Sequence, residues 1–222
     1  LLPGRRTLSD LSAKVWKRKK AVYQHGNIWF VTCSQWLARQ AKRSGLLRGL
    51  SVTSIPNPID THLFEPQDKQ LARQRLQLPE KQRIILFVSQ RVTDQLKGMD
   101  YFIEAIDKMV SQHPEMKKNT GIAILGGHAE ELEGKLALPV YPIGYVSDQQ
   151  RIRDVYNAAN IFVLPSLEDN LPNTIMEAMA CGVPCVGFKV GGIPEMIDHL
   201  KNGYVAIERN AEDLAKGMHW IL

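Results

Sequence analysis

From residue 83 onward, short uninterrupted apolar runs alternate with stretches in which apolar positions recur every three or four residues. Runs such as Ile161-Phe162-Val163-Leu164 are too short for helices and lack polar alternation, so they read as strands covered on both faces. Strands are expected near 83–88, 121–125, 140–143, 160–164, 184–188 and 204–207, and helices near 68–77, 99–112, 149–158, 173–181 and 211–222. This alternation predicts an α/β fold built on a doubly wound, Rossmann-like parallel sheet. Upstream, a helix is expected over 8–23, a strand over 28–33, a helix over 35–44 and a strand over 51–55. Between the two parts lies Ile55-Pro56-Asn57-Pro58-Ile59-Asp60, which two prolines force into an extended crossing. The domain boundary is therefore set at 56/57.

Composition removes several classes. The 222 residues are 44% hydrophobic and 23% charged, which excludes fibrous, disordered and disulfide-scaffold proteins. No apolar run approaches the ~20 residues needed to span a bilayer. The chain opens without Met or a signal peptide, as expected of a piece of a longer protein. Three cysteines, Cys33, Cys181 and Cys185, point to a reducing compartment. Cys181 and Cys185 lack a neighbouring His pair, so they read as core residues and not as a zinc site.

Charge changes the picture of the first fifty residues. The formal total is +5, yet residues 1–50 carry eleven Lys/Arg against Asp10 alone. The densest run, Lys17-Arg18-Lys19-Lys20, falls on the first helix, where Leu8, Leu11, Val15, Trp16 and Val22 sketch an apolar side. Such a helix suits an anionic membrane surface; a solvated face is the other reading. Nucleic acid ranks below both, because no aromatic-interleaved or zinc-finger pattern accompanies the charge.

In a doubly wound sheet, ligands bind beyond the carboxyl ends of the strands. The loop after Leu164 runs Pro165-Ser166-Leu167-Glu168-Asp169-Asn170-Leu171-Pro172 into the helix Asn173-Thr174-Ile175-Met176-Glu177-Ala178-Met179-Ala180-Cys181, with Gly182 as its stop. Pro172 is expected in its first turn. Glu177 stands alone among apolar residues, and a carboxylate there needs hydrogen-bonding partners. With Asp169 at the mouth, a helix N-terminus between the two suits a phosphate linked to a polyol. The structural alternative is that Asp169 or Glu168 caps the helix and Glu177 pairs with a buried base. The loop after Val88 offers Arg91 and Lys97, whose charges suit a diphosphate.

These segments resemble the C-terminal, donor-binding half of GT-B glycosyltransferases of family 4, the retaining group that uses nucleotide-sugars. The resemblance rests on Val31-Thr32-Cys33-Ser34, the Pro56-Asn57-Pro58 crossing with Phe64 and Pro66, Arg91, Lys97-Gly98, Gly126-Gly127 and Gly144-Tyr145-Val146. It continues through Pro165-Ser166, Glu177 to Pro184, Gly191-Gly192-Ile193-Pro194-Glu195 and Asn202-Gly203. By this resemblance residues 1–56 are the tail of an acceptor-side domain and 57–222 the donor domain. Asp169 and Glu177 take the two positions of the family's E-x7-E signature, with Asp where Glu is usual, and Pro172-Asn173 replaces a glycine-containing segment.

The resemblance implies that Glu177 holds the ribose, that Asp169 and the backbone of Asn170, Leu171, Asn173 and Thr174 meet the sugar and diphosphate, and that Gly144, Tyr145 and Val146 lie by the base. Arg91, Lys97 and Asp169 are then the catalytic set. It further implies hexosyl transfer from a nucleotide-sugar to a glycan or lipid-linked acceptor in the cytoplasm or at the inner membrane face, with the present segment binding donor without turning it over. No cofactor is expected, and no metal, since no D-x-D triplet is present. The alternatives are an inactive nucleotide-sugar-binding module and, lower, a Rossmann oxidoreductase, which should show a G-x-G-x-x-G fingerprint absent here.

Overall fold

The computed structural model describes residues 11–91, 94–132 and 134–222. The chain divides into two compact units between Pro56 and Asn57. The first holds α1 (Leu11–His25), β1 (Phe30–Thr32), α2 (Gln35–Arg43) and β2 (Val52–Ser54), with β1 and β2 paired in parallel. Ser34 starts α2 by accepting the Leu37 N–H at 3.0 Å, which satisfies one donor of the first turn. The apolar side expected of α1 is not packed within this unit. Leu11, Val15, Trp16 and Val22 are all exposed, and Lys20 Nζ sits 5.0 Å above the Trp16 ring. Leu8 lies outside the described residues.

The second unit contains α3 (Lys69–Leu76), β3 (Arg83–Arg91), α4 (Met99–Gln112), α5 (Met116–Asn119), β4 (Thr120–Gly127), β5 (Val140–Gly144), α6 (Gln149–Ala158), β6 (Ile161–Leu164), α7 (Asn173–Ala180), β7 (Cys185–Phe188), β8 (Gly203–Ala206) and α8 (Ala211–Ile221). The six strands pair in parallel in the order β5-β4-β3-β6-β7-β8. The order reverses between β3 and β6, which makes their carboxyl ends the switch point of the sheet.

The apolar runs fill both faces with period two. Ile85, Phe87, Ile122, Ile124, Ile161, Val163, Val186 and Phe188 join one core with residues of α4 and α8. Their sequence neighbours Ile84, Leu86, Ala123, Leu125, Phe162, Leu164 and Cys185 join a second core with residues of α3, α6 and α7. Both faces are thus closed, as the unbroken runs predict.

Three details differ from the sequence reading. Strand β3 continues past Val88 to Arg91, because the polar tail still pairs with β4, Arg91 opposite Gly127, after a register shift. Pro172 is not inside α7 but caps it, at ψ 119°, so the first helical residue is Asn173. The short helix α5 was not expected, being a single polar turn without periodicity to read.

A buried cation ties the second unit together. Arg73 of α3 is 3% exposed, and its guanidinium donates to the carbonyls of Ala158 (3.0 Å) and Glu80 (2.6 Å) and to Asn160 Oδ1 (2.7 Å). The same Asn160 oxygen accepts the Ile84 N–H at 2.7 Å.

Candidate functional site

The loop between β6 and α7 is stitched to its neighbours on both sides. Leu167 N–H donates to the Leu96 carbonyl at 2.8 Å, and Gly192 N–H to the Asn170 carbonyl at 2.7 Å. Two glycines permit this approach. A Cβ at Gly98 (φ +72°) would lie 1.9 Å from the Pro165 carbonyl oxygen, and one at Gly191 (φ +56°) only 1.6 Å from that of Asp169. The loop is thereby fixed at the switch point, with Asp169 between the 3-10 turn Gln95–Lys97 and Gly191.

Asp169 is half-buried and fully engaged: Oδ2 accepts from Lys97 Nζ at 3.0 Å and Oδ1 from the Asn170 N–H at 3.0 Å. It does not cap α7, whose N-cap Pro172 has no side-chain hydrogen bond. Glu168 is exposed. The capping alternative is therefore ruled out for both carboxylates. Helix α7 ends as its sequence predicts. Gly182 N–H donates to Met179 O and Val183 N–H to Ala178 O, both at 2.9 Å, with Gly182 at φ +75°.

Glu177 lies one turn into α7. Its partner is not a buried base but Tyr156 of α6, whose hydroxyl donates to Glu177 Oε2 at 2.7 Å. Burial and, after it, the Glu177 charge push the Tyr156 phenol well above its ordinary pKa, so it remains a donor. Both residues line a cleft of about 230 Å³ with Val88, Ser89, Gln90, Leu125, Gly126, Tyr145, Val146, Ile152 and Thr174. The cleft sits at the carboxyl ends of β3 and β4 and is bordered by the loop leading into α6.

Of the residues singled out in the sequence, Tyr145, Val146, Thr174 and Glu177 meet in this cleft, and Lys97 and Asp169 meet in an ion pair. Arg91 is exposed at the end of β3, outside the cleft lining, and Val92 and Thr93 of its loop lie outside the described residues. Gly144 ends β5 at φ +76°, Leu171 is buried, and Asn173 Oδ1 accepts from Asn57 Nδ2 at 3.2 Å. Asn170 contributes its carbonyl to Gly192. Ser89, Gln90 and Tyr156 were missed. The sequence carries no signal for Tyr156, since its partnership with Glu177 depends on the packing of α6 against α7.

Cys181 and Cys185 are buried core residues; burial pushes the Cys181 thiol up to about 12 and Cys185 higher still. Among the described residues, no group of three His, Cys, Asp or Glu side chains could hold a metal ion. Among them also, no helix is long and apolar enough to cross a membrane.

A parallel sheet with a cleft beyond the carboxyl ends of its strands is the arrangement in which doubly wound α/β domains bind their ligands. Residues 82–222 match the family model described as Glycosyl transferases group 1, and the chain belongs to that family. Over 186 residues it is 28% identical to D-inositol 3-phosphate glycosyltransferase 2 of Catenulispora acidiphila, a match covering 77% of this chain and 42% of that protein. The chain thus spans less than half the length of that relative.

The fold is that of GT-B glycosyltransferases. Sucrose-phosphate synthase from Thermosynechococcus elongatus superposes with a TM-score of 0.75 at 24% identity, over 99% of this chain and 54% of that one. Anabaena HepE in complex with UDP-glucose gives 0.73 at 21% identity, over 93% and 57%. The C-terminal domain of LpcC from Francisella tularensis, a glycosyl transferase group 1 family protein, gives 0.61 at 26% identity, over 74% and 87%.

Proposed function

We propose that this chain is the donor-binding part of a retaining, family 4 glycosyltransferase that takes a hexose from a nucleotide diphosphate sugar and passes it to a glycan or lipid-linked acceptor. The observation that carries this reading is that the loop and helix after β6 supply both Asp169, ion-paired to Lys97 of the turn after β3, and Glu177, which lines the cleft at the end of β3. Glu177 accepts hydrogen bonds from the ribose, and Tyr145 and Val146, with Gly144 behind them, border the base. Asp169 and the backbone from Asn170 through Leu171 and Asn173 to Thr174 meet the sugar and diphosphate. Lys97 and Arg91 neutralise the charge that develops on the departing diphosphate, the place where a fixed cation lowers the barrier most. No metal is assigned to this step. The likeness to HepE, a structure of which contains UDP-glucose, supports a nucleotide-sugar as ligand.

Residues 1–56 belong, on this reading, to the acceptor-side domain, and the basic run supports peripheral contact with an anionic membrane surface facing the cytoplasm. The test is calorimetric titration of residues 1–222 with UDP-, GDP- and ADP-sugars. One of the three should bind without glycoside being formed; failure of all three to bind, or turnover by this segment alone, overturns the reading. The engagement of Asp169 by Lys97 favours a second reading, a nucleotide-sugar-binding module without activity. Glycoside formation by a longer protein that contains this chain, lost on Lys97→Ala, separates the two.

A further inference from the structure

Tyr156 is fully buried, and its ring is held at the edges by Phe64 at 6.2 Å and Phe162 at 5.9 Å between centroids. Phe64 belongs to the stretch following the proline crossing and Phe162 to β6, so the phenol is positioned by two separate parts of the second unit. Its hydroxyl has a fixed address, Glu177 Oε2, 2.7 Å away. Among the described residues, no partner is found for the other carboxylate oxygen, while the residue lines the cleft. A glutamate in a helix has three rotatable side-chain bonds, and its reach alone does not choose where the carboxylate points. A hydrogen bond to an ionised acceptor is among the stronger ones, and here it is made by a donor whose ring is buried between Phe64 and Phe162.

We propose that Tyr156 is a positioning residue that fixes the Glu177 carboxylate through Oε2, so that Oε1 is presented to the cleft for the ribose hydroxyls of a nucleotide. The inference rests on the ribose role given to Glu177 above and adds the residue that makes that role selective. A carboxylate held in place discriminates between a ribose and a ribose lacking one hydroxyl. A carboxylate free to swing can re-pair with water or with the remaining hydroxyl, and it loses that discrimination.

The test uses residues 1–222 and whichever of UDP, GDP and ADP binds most tightly, together with its 2′-deoxy and 3′-deoxy counterparts and inorganic pyrophosphate. In Tyr156→Phe the ribonucleotide should bind about tenfold more weakly, as expected for loss of one charge-assisted hydrogen bond. The preference for ribose over at least one deoxy form should collapse toward unity, and pyrophosphate affinity should stay unchanged. Glu177→Asp, which withdraws the carboxylate by one methylene while leaving the ring in place, should collapse the preference in the same way, and it carries the test should Tyr156→Phe fail to fold.

If Tyr156→Phe or Glu177→Asp keeps the ribose preference while Glu177→Gln loses it, the positioning role is overturned and the ribose role stands. If Glu177→Gln also keeps it, the ribose role itself falls. A uniform loss across nucleotides and pyrophosphate would mark Tyr156 as a packing residue only.

Discussion

Lys97 and Asp169, 72 positions apart in the chain, form an ion pair of 3.0 Å between the turn after β3 and the loop after β6, with side chains 32% and 15% exposed. On the proposed reading the same lysine also serves the diphosphate, so a bound diphosphate and Asp169 would compete for one ammonium group. Lys97→Ala should weaken a nucleoside diphosphate about tenfold and leave the nucleoside unaffected, with Arg91→Ala acting in the same direction. Asp169→Asn removes the competing charge and should strengthen the bare diphosphate by about two- to fivefold. Calorimetry with nucleoside and diphosphate side by side decides it, and equal losses for both ligands in Lys97→Ala would remove Lys97 from the phosphate site.

Gly191 should not accept a side chain. At φ +56°, with a Cβ only 1.6 Å from the Asp169 carbonyl oxygen, alanine must push the loop away or strain the backbone. Gly191→Ala is expected to cost about 1–3 kcal/mol in urea unfolding and to weaken diphosphate binding through displacement of Asp169. Unchanged stability would mean that the loop is not held as described.

Acid should loosen the packing of α4 against α8. His113 and His219 stack at 3.6 Å between centroids, and burial, followed by the charge of His113, holds His219 below its ordinary pKa of 6.5. Arg83 acts in the same sense and Glu115 against it. The unfolded chain therefore takes up a proton at His219 more readily than the folded one. Stability is whole above about pH 6.5 and declines as the pH falls below it. Melting temperatures between about pH 7.5 and 5.5 should drop less for His219→Gln than for the parent protein; parallel drops would refute the assignment.

Most of the sheet is legible in the sequence because strands covered on both faces must be apolar at every position, and Ile84 to Phe87 or Ile161 to Leu164 leave no other reading. The end of β3 is not legible, because Ser89 and Gln90 are polar residues in a register shift and only the backbone pairing of Arg91 with Gly127 carries the strand on. For the site, the lone Glu177 in an apolar helix and the loop glycines mark the place. The partners are not marked: that Lys97 reaches Asp169 and Tyr156 reaches Glu177 depends on how four elements pack, which spacing does not encode. The apolar positions of α1, visible as a stripe in the sequence, are exposed in this unit, so the stripe alone does not tell what covers it.

The basic run of α1 provides the fourth test. Each Lys or Arg near an anionic surface contributes about 1 kcal/mol, so replacing Lys17, Arg18, Lys19 and Lys20 by Gln should reduce adsorption to phosphatidylserine vesicles by at least about tenfold at low salt. Unchanged sedimentation with the vesicles would show a solvated face.

The acceptors of the buried Arg73 guanidinium come from residues 80, 158 and 160, on either side of the sheet's reversal. A ribosome that has released the chain only as far as β5 has made a cation with one of its three hydrogen-bond acceptors, and the Ile84 amide still lacks its side-chain acceptor. The first half of the sheet therefore has no finished state of its own: three strands and their helices wait for Ala158 and Asn160 to emerge. A sheet whose strand order reverses invites the picture of two independent halves joined at a seam, but this guanidinium bonds to both, and the domain is expected to melt as one cooperative body.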